Sequence, residues 1–280
     1  MAGKKKDIIE GQLTLAMCMD TDKYIVQSNE LINAKQTLSL NANKLIKLAI
    51  MQVKPDDEEF SPYVFHIPVL ADTLGISSSN VYRDIENLCN EILENPVKFK
   101  RTNINKKTGR KDIKWAGIPW VKRCEYDTGT GYGYIKLNDE LKPFLLGLKK
   151  YYTQYVGDDL MAMKSNYSAR VLEILLSKIN IKIIPREGIH VILDVEELKE
   201  SLDVESKYTK FGNFRQKVLD VAVNEINKAT HYTISYEYIK EKNKVVSLNF
   251  LVVMDYIKFL ELPQKIVDER KKKFDKKMNF

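Results

Sequence analysis

The sequence predicts an α+β protein made of two tandem winged-helix domains, each a helix-turn-helix with a β-hairpin wing. Three observations predict it. Residues 68–93, PVLADTLGISSSNVYRDIENLCNEIL, read as a short helix, a glycine turn and a capped second helix. An alternating, lysine-rich segment with a Lys107-Thr108-Gly109-Arg110 turn follows at once. The order helix, strand, helix, helix, hairpin then recurs in the second half, with little identity between the copies.

The composition bounds the rest. A chain of 280 residues with 44% hydrophobic and 30% charged residues is long enough for two soluble domains. Its net charge of +7 favours an anionic partner, nucleic acid or an acidic membrane surface. No apolar run reaches the ~20 residues that span a bilayer. The basic start MAGKKKDIIEGQ lacks an apolar run behind it, so no secretory signal is expected. Cys18, Cys89 and Cys124 show no CxxC spacing, and free thiols in a reducing cytoplasm are expected.

Residues 1–27 read as a flexible N-terminal arm, 28–157 as the first winged-helix domain, 158–257 as the second and 258–280 as a basic tail. A short helix is expected over Ser28–Ala34 and a longer one over Thr37–Val53. Tyr63–Ile67 is β-prone, and Pro68 suits a helix start because its missing N–H would be unpaired there anyway. The second helix of the first copy presents Val81, Ile85, Leu88 and Ile92 inward and Asn80, Arg83, Asn87 and Asn90 outward. Ser78, Asn80 and Arg83 are its candidate DNA contacts. Asp84, Glu86, Glu91 and Glu94 make the same helix unfavourable to phosphate overall.

The basic residues lie in the following hairpin, Val97–Val121. Lys98, Lys100, Lys106, Lys107, Arg110 and Lys111 are its candidate DNA contacts; a solvated hairpin is the other reading. Trp115 and Trp120 are expected in the core, and Gly131–Leu137 is expected to pair with this hairpin as a third strand. Asp139–Tyr155 reads as one helix, and Gly157-Asp158-Asp159 as the domain boundary.

In the second copy, Asn166–Asn180 is a helix, Ile181–Pro185 and Ile189–Leu193 are strands, and Asp194 caps a short helix to Leu202. Residues 207–228, KYTKFGNFRQKVLDVAVNEINK, follow as the reading helix, with Thr209 as the expected N-cap. At about 100° per residue, Phe211, Phe214, Val218, Val221, Ala222 and the polar exception Glu225 share one side. Asn213, Gln216, Lys217, Asp220 and Asn224 share the other, and Arg215 leans toward the core edge. Amides and an ammonium on an outer face match adenine and guanine edges in a major groove, although a solvated face on a core helix has the same pattern. Lys207, Lys210, Asn213, Arg215, Gln216 and Lys217 are the candidates here, joined by Lys242 and Lys244 in the second wing between Tyr232–Ile239 and Val245–Met254.

Reacting groups are not in evidence. There is no GxxxxGK[ST] stretch, no HExxH, no His-x-His and no metal-spaced Cys/His cluster, so neither an enzyme nor a metal or other cofactor is expected. His66, His190 and His231 are scattered, and the pairs Asp56-Asp57, Glu58-Glu59 and Asp158-Asp159 fall in predicted loops.

Three segments carry a family resemblance: Asn29-Glu30-Leu31-Ile32 with the helix after it, Leu141–Leu176 with its SNYSARVLE, and FRQKVLDVAVNEIN at 214–227. They resemble the iteron-binding replication initiators of bacterial plasmids, over about Ser28–Asp255. Leu172 stands where that family commonly has an aromatic residue. The resemblance implies binding to direct repeats in double-stranded origin DNA, opening of an A·T-rich region, and recruitment of the host helicase, its loader or the host initiator. It also implies a monomer that initiates and a homodimer, joined through the first winged helix, that represses its own gene. A winged-helix repressor with no role in replication has the same fold and is the alternative.

Overall fold

The structure, a computed structural model, describes residues 24–54, 57–76, 79–104, 111–179 and 184–255. The duplicated plan is present. In the first copy α2 (Leu40–Ile50) leads to β2 (Tyr63–His66), α3 (Ile67–Leu74) and α4 (Val81–Glu94), and later to the hairpin β5 (Val121–Asp127) and β6 (Tyr132–Leu137). Its sheet runs β2-β6-β5. In the second copy α7 (Asn166–Ser177) leads to β8 (Ile189–Asp194) and α8 (Val195–Ser201). The reading helix follows as α9 (Phe211–Phe214), a π-helical turn (Arg215–Leu219) and α10 (Asp220–Ala229), and the hairpin β9 (Tyr232–Glu241) and β10 (Lys244–Met254) closes the domain. Its sheet runs β8-β10-β9. Both sheets are antiparallel and place the last strand in the middle.

Local chemistry sets the helix ends. Pro68 lies in the first turn of α3, and Gly75 ends that helix at φ 70°, a left-handed conformation that costs glycine nothing. Asp194 accepts from the backbone N–H of Glu196 and Glu197 at the start of α8. Thr209 does not cap the reading helix: the cap position is Lys210, with no side-chain bond.

Several expectations are corrected. Tyr24–Ser28, placed partly in the arm, form strand β1, which pairs antiparallel with β7 (Tyr152–Val156). The helix expected over Asp139–Tyr155 stops early: a 3-10 turn (Asp139–Leu141) and α5 (Lys142–Leu145) are followed by Gly147 at φ 59° and then β7. Thr153 and Tyr155 are buried while their neighbours are half-buried, a period of two that suits a strand. Gly157–Met161, expected to include a loop boundary, form helix α6. The hairpin β3 (Val97–Ile104) and β4 (Lys111–Ile118) forms its own two-stranded sheet, and β6 pairs with β5 and β2 instead. By topology, therefore, the first wing is β5–β6, and β3–β4 is an insertion. Trp120 is buried, but Trp115 is 64% exposed. Cys89 and Cys124 are joined as a disulfide between α4 and β5, with Cα atoms 6.0 Å apart, where free thiols were expected. Of the expected strand Ile181–Pro185, Ile184 and Pro185 are not in a strand and the rest lies outside the described residues, as do Cys18, the tail from 258 and the arm before Tyr24.

The helix α7 is buried along almost its whole length, which explains its two internal charges. Glu173 accepts from Gln27 of β1 at 2.8 Å, from Lys47 of α2 at 2.8 Å, from Arg170 at 2.8 Å and from the Tyr155 hydroxyl of β7. Lys47 also donates to Gln27 at 3.0 Å, and Arg170 to the carbonyls of Ile32 and Ala34 at 2.6 and 3.2 Å. Burial alone would raise the Glu173 carboxyl, but the Lys47 ammonium and Arg170 guanidinium overcome it and hold it at about 2. The folded value lies below the unfolded one of about 4.3, so the stability Glu173 contributes is present above that pH and is lost as pH falls toward about 2. Glu173→Gln, which leaves two buried cations uncompensated, should lower stability by roughly 3–5 kcal/mol in urea unfolding at pH 7. The difference between variant and parent should shrink as the pH falls below about 4.

Candidate nucleic-acid interface

The reading helix is fixed by Phe214, Val218, Leu219, Ala222 and Ile226, all buried. Spacings of four between Phe214, Val218, Ala222 and Ile226 drift around a regular helix, because about 3.6 residues make a turn. The π turn absorbs the drift: the Asp220 N–H bonds to the Arg215 carbonyl, an i→i+5 link that underwinds the chain. This shift corrects two assignments. Leu219 enters the core, and Val221 is left 39% exposed. Glu225, the polar residue on the inward side, has a structural task. Its carboxylate accepts from the backbone N–H of Lys164 at 2.6 Å and of Ser165 at 3.1 Å, at the start of α7.

Asn213, Gln216 and Lys217 are exposed on the outer side, as the periodicity predicts. Arg215 is also exposed, not turned to the core edge; the underwound turn carries it toward the second wing. Its Nη1 lies 3.4 Å from the Tyr238 hydroxyl and its Nε 3.6 Å from Asp220. Lys207 donates to the Tyr167 hydroxyl at 3.1 Å and lies over the rings of Tyr167 and Tyr208, contacts that raise its pKa and keep it charged. Lys210 is exposed beside the helix start. Lys242, at φ 55°, and Lys244 are exposed at the tip of the β9–β10 wing. The reading helix, the turn before it and the tip of the second wing together expose five ammonium groups, one guanidinium and two amides.

In the first copy the candidate contacts have acidic neighbours. Asn80 and Arg83 are exposed at the start of α4, while Glu86 of that helix accepts from the Tyr126 hydroxyl of the wing at 3.1 Å. Lys98 is half-buried and bridges through its backbone to Lys35. Lys100 forms an ion pair at 2.6 Å with Glu200 of α8, so it joins the two domains. Lys111 opens β4; its side chain, with Ser78, Lys106, Lys107 and Arg110, lies outside the described residues. On the topological wing, Arg123 pairs with Glu125 and Lys122 with Asp139 at 3.0 Å. Among the described residues no group of three or more His, Cys, Asp or Glu is placed to hold a metal ion. No helix among them is long and apolar enough to cross a membrane.

Sequence reasoning missed Tyr236 and Tyr238. They continue the face of β9 that begins with buried Tyr232 and Ile234, so the signal was the period of two in YTISYEY. Tyr236 donates to Asp220 at 2.7 Å, and Tyr238 meets the Phe211 ring edge-on at 5.5 Å. Asp159, expected in a solvated loop, is buried with its carboxylate 2.6 Å from His231 Nδ1.

Two winged helices in tandem, one presenting a basic, amide-bearing helix beside a basic wing, define a bipartite DNA-binding protein. The chain belongs to the initiator replication protein family. Residues 24–176, more than half of it, match that family's first winged-helix model, described as Initiator Replication protein, WH1, and residues 194–252 match Initiator Rep protein, WH2. It is 24% identical over 277 residues to the PI protein of Escherichia coli, covering 88% of each chain. It is 23% identical to an uncharacterized 27.6 kDa protein of Escherichia coli, covering 76% of this chain and 88% of that one. The fold matches the crystal structure of the Pi initiator protein in complex with iteron DNA with a TM-score of 0.69 and 20% identity, over 85% of this chain and 99% of that one. Family membership decides for a replication initiator over a repressor without a replication role.

Because Asn213 and Gln216 are exposed, truncating either to alanine should change unfolding free energy by no more than about 0.5 kcal/mol. Phe214→Ala should cost about 3–5 kcal/mol in the same denaturant titration.

Proposed function

We propose that this initiator binds direct repeats at a plasmid origin, helps open the duplex and recruits the host helicase, its loader or the host initiator, with no catalytic step of its own. The observation that carries the DNA-binding part is the outward exposure of Asn213, Gln216 and Lys217, in a domain whose wing tip also exposes lysines. Amides at Asn213 and Gln216 suit adenine N6 and N7, and Lys217 suits guanine or a phosphate. Lys207, Lys210, Lys242 and Lys244 neutralise phosphates and set the register of the helix on the groove. The first copy docks on the adjoining part of the site through Asn80 and Arg83, with help from the β3–β4 hairpin. Two linked modules on one duplex raise affinity by effective concentration.

Footprinting on the DNA flanking its own gene should show protection of tandem repeats; a single inverted repeat would refute the proposal. On a duplex of one protected repeat, Gln216→Ala or Asn213→Ala should cost ~1–3 kcal/mol and leave binding to random DNA unchanged. Lys242→Ala with Lys244→Ala should weaken both duplexes alike and flatten the salt dependence.

Self-association is assigned to the first domain. In support, Ile113 and Trp115 are each 64% exposed on β4, an edge strand unpaired on its outer side among the described residues. The Trp115 ring lies against Gly117, where an added Cβ would stand 3.0 Å from it. Trp115→Glu should shift the chain toward monomer in sedimentation velocity, and an unchanged dimer fraction would place the interface elsewhere.

A further inference from the structure

A carboxylate on a surface that meets phosphates works against binding, and Asp220 sits on that surface, 51% exposed. Its surroundings give it a purpose. Tyr236, whose ring packs on Phe250 at 5.5 Å, donates to Asp220 Oδ1 at 2.7 Å. Burial, and then the Asp220 carboxylate, push the Tyr236 phenol far above its usual range, so it remains a donor. The other carboxylate oxygen, Oδ2, faces Arg215 Nε at 3.6 Å. Tyr238, packed on Phe211 and 5.8 Å from the Tyr236 ring, lies by Arg215 Nη1. In a regular helix two residues five apart point about 140° away from each other. Only the π turn, closed by the bond from Asp220 N–H to Arg215 O, lets this pair share a face.

We propose that Asp220 is a positioning residue for Arg215, and that Arg215 is a specificity-determining residue that reads a guanine. The inference rests on the DNA-reading role of this helix proposed above. The guanidinium Nε faces the Asp220 carboxylate at an ion-pair distance of 3.6 Å, and one Nη1 N–H donates to Tyr238 at 3.4 Å. The end-on pair at Nη1 and Nη2 remains, and Nη2 has no partner among the described residues. That pair is the fork that matches guanine O6 and N7. Holding the side chain in place before binding lowers the entropy lost on contact. Asp220 thus exchanges some attraction for phosphate against a fixed direction for Arg215, and affinity for non-cognate DNA falls as well.

The test uses the full chain, titrated with a duplex of one footprinted repeat, with versions in which each G·C pair is replaced in turn, and with random duplex. Arg215→Ala should weaken the cognate complex about tenfold and become indifferent to replacement of one particular G·C pair. Asp220→Asn should weaken the cognate complex in the parent background, reduce discrimination at that same pair, and leave or tighten binding to random DNA. In the Arg215→Ala background, Asp220→Asn should cause no further loss on cognate DNA. Tyr236→Phe, which removes only the hydroxyl, should reproduce the Asp220→Asn pattern in weaker form. Tightening by Asp220→Asn on cognate and random DNA alike, in both backgrounds, would show that the carboxylate only repels phosphate and would overturn the proposal. So would a loss from Asp220→Asn that is undiminished without Arg215. If Asn213→Ala, Gln216→Ala and Arg215→Ala all leave cognate affinity unchanged, the reading role of the helix itself falls, an outcome distinct from failure of the Asp220–Arg215 coupling.

Discussion

Glu173 is a carboxylate with no contact to water, and four separate elements are arranged around it. Gln27 comes from β1, Lys47 from α2, Tyr155 from β7 and Arg170 from its own helix. None of these groups could be buried alone without a large desolvation cost, and removing one partner strands the others. The cluster therefore requires the N-terminal strand, the first-domain helix α2 and the second-domain helix α7 to take one mutual arrangement. Arg170 extends the same requirement to the carbonyls of Ile32 and Ala34, at the end of the short helix α1 (Asn29–Asn33). Apolar packing among Leu31, Leu45, Leu172 and Leu175 tolerates small slips; a satisfied polar cluster does not.

That fixed arrangement is passed on to the candidate DNA-binding helix by polar contacts at both ends of α7. At its start, Glu225 of α10 holds the N–H groups of Lys164 and Ser165, while Asn166 donates to the Leu38 carbonyl of the first domain at 2.7 Å. At its end, Asn29 reaches the Ser177 carbonyl at 2.8 Å. The reading helix is thus tied to the element that organises both domains. Lys35 adds an ionic link to Asp203 at 2.5 Å and to Glu205 at 2.6 Å, in the turn that leads to the reading helix. The relative positions of the two winged helices are set by these contacts as much as by either core.

Periodicity made the second domain legible in detail. The helix, the strand Ile189–Asp194, the capped helix and the hairpin stand within a few residues of where the sequence places them, and the reading helix starts one residue later than expected, because each has one buried face. The first domain was less legible. Its insertion hairpin and its true wing both alternate, and the choice between them depends on pairing with β2, which no local pattern encodes. Lys149 to Tyr155 fitted a helical pattern, yet the pairing with β1 across more than 120 residues decided for strand. In the reading surface, Asn213, Gln216 and Lys217 were legible because exposure follows from phase. Arg215, Leu219 and Val221 were not, since a regular 100° step cannot anticipate a π turn. Nor could Lys100 be told from a phosphate contact, because its partner Glu200 lies a hundred residues away.

The ion pairs between the domains have a consequence for how binding is measured. Lys35 with Asp203 and Glu205, and Lys100 with Glu200, are partly exposed and so open to screening by salt. Contacts between lysines and phosphates respond to salt as well, through the release of counterions. Raising ionic strength therefore screens two sets of contacts in one protein: those each module would make with the duplex, and the ion pairs that brace the modules around the buried Glu173 cluster. A slope of affinity against salt contains both, and it counts more charges than the duplex itself receives.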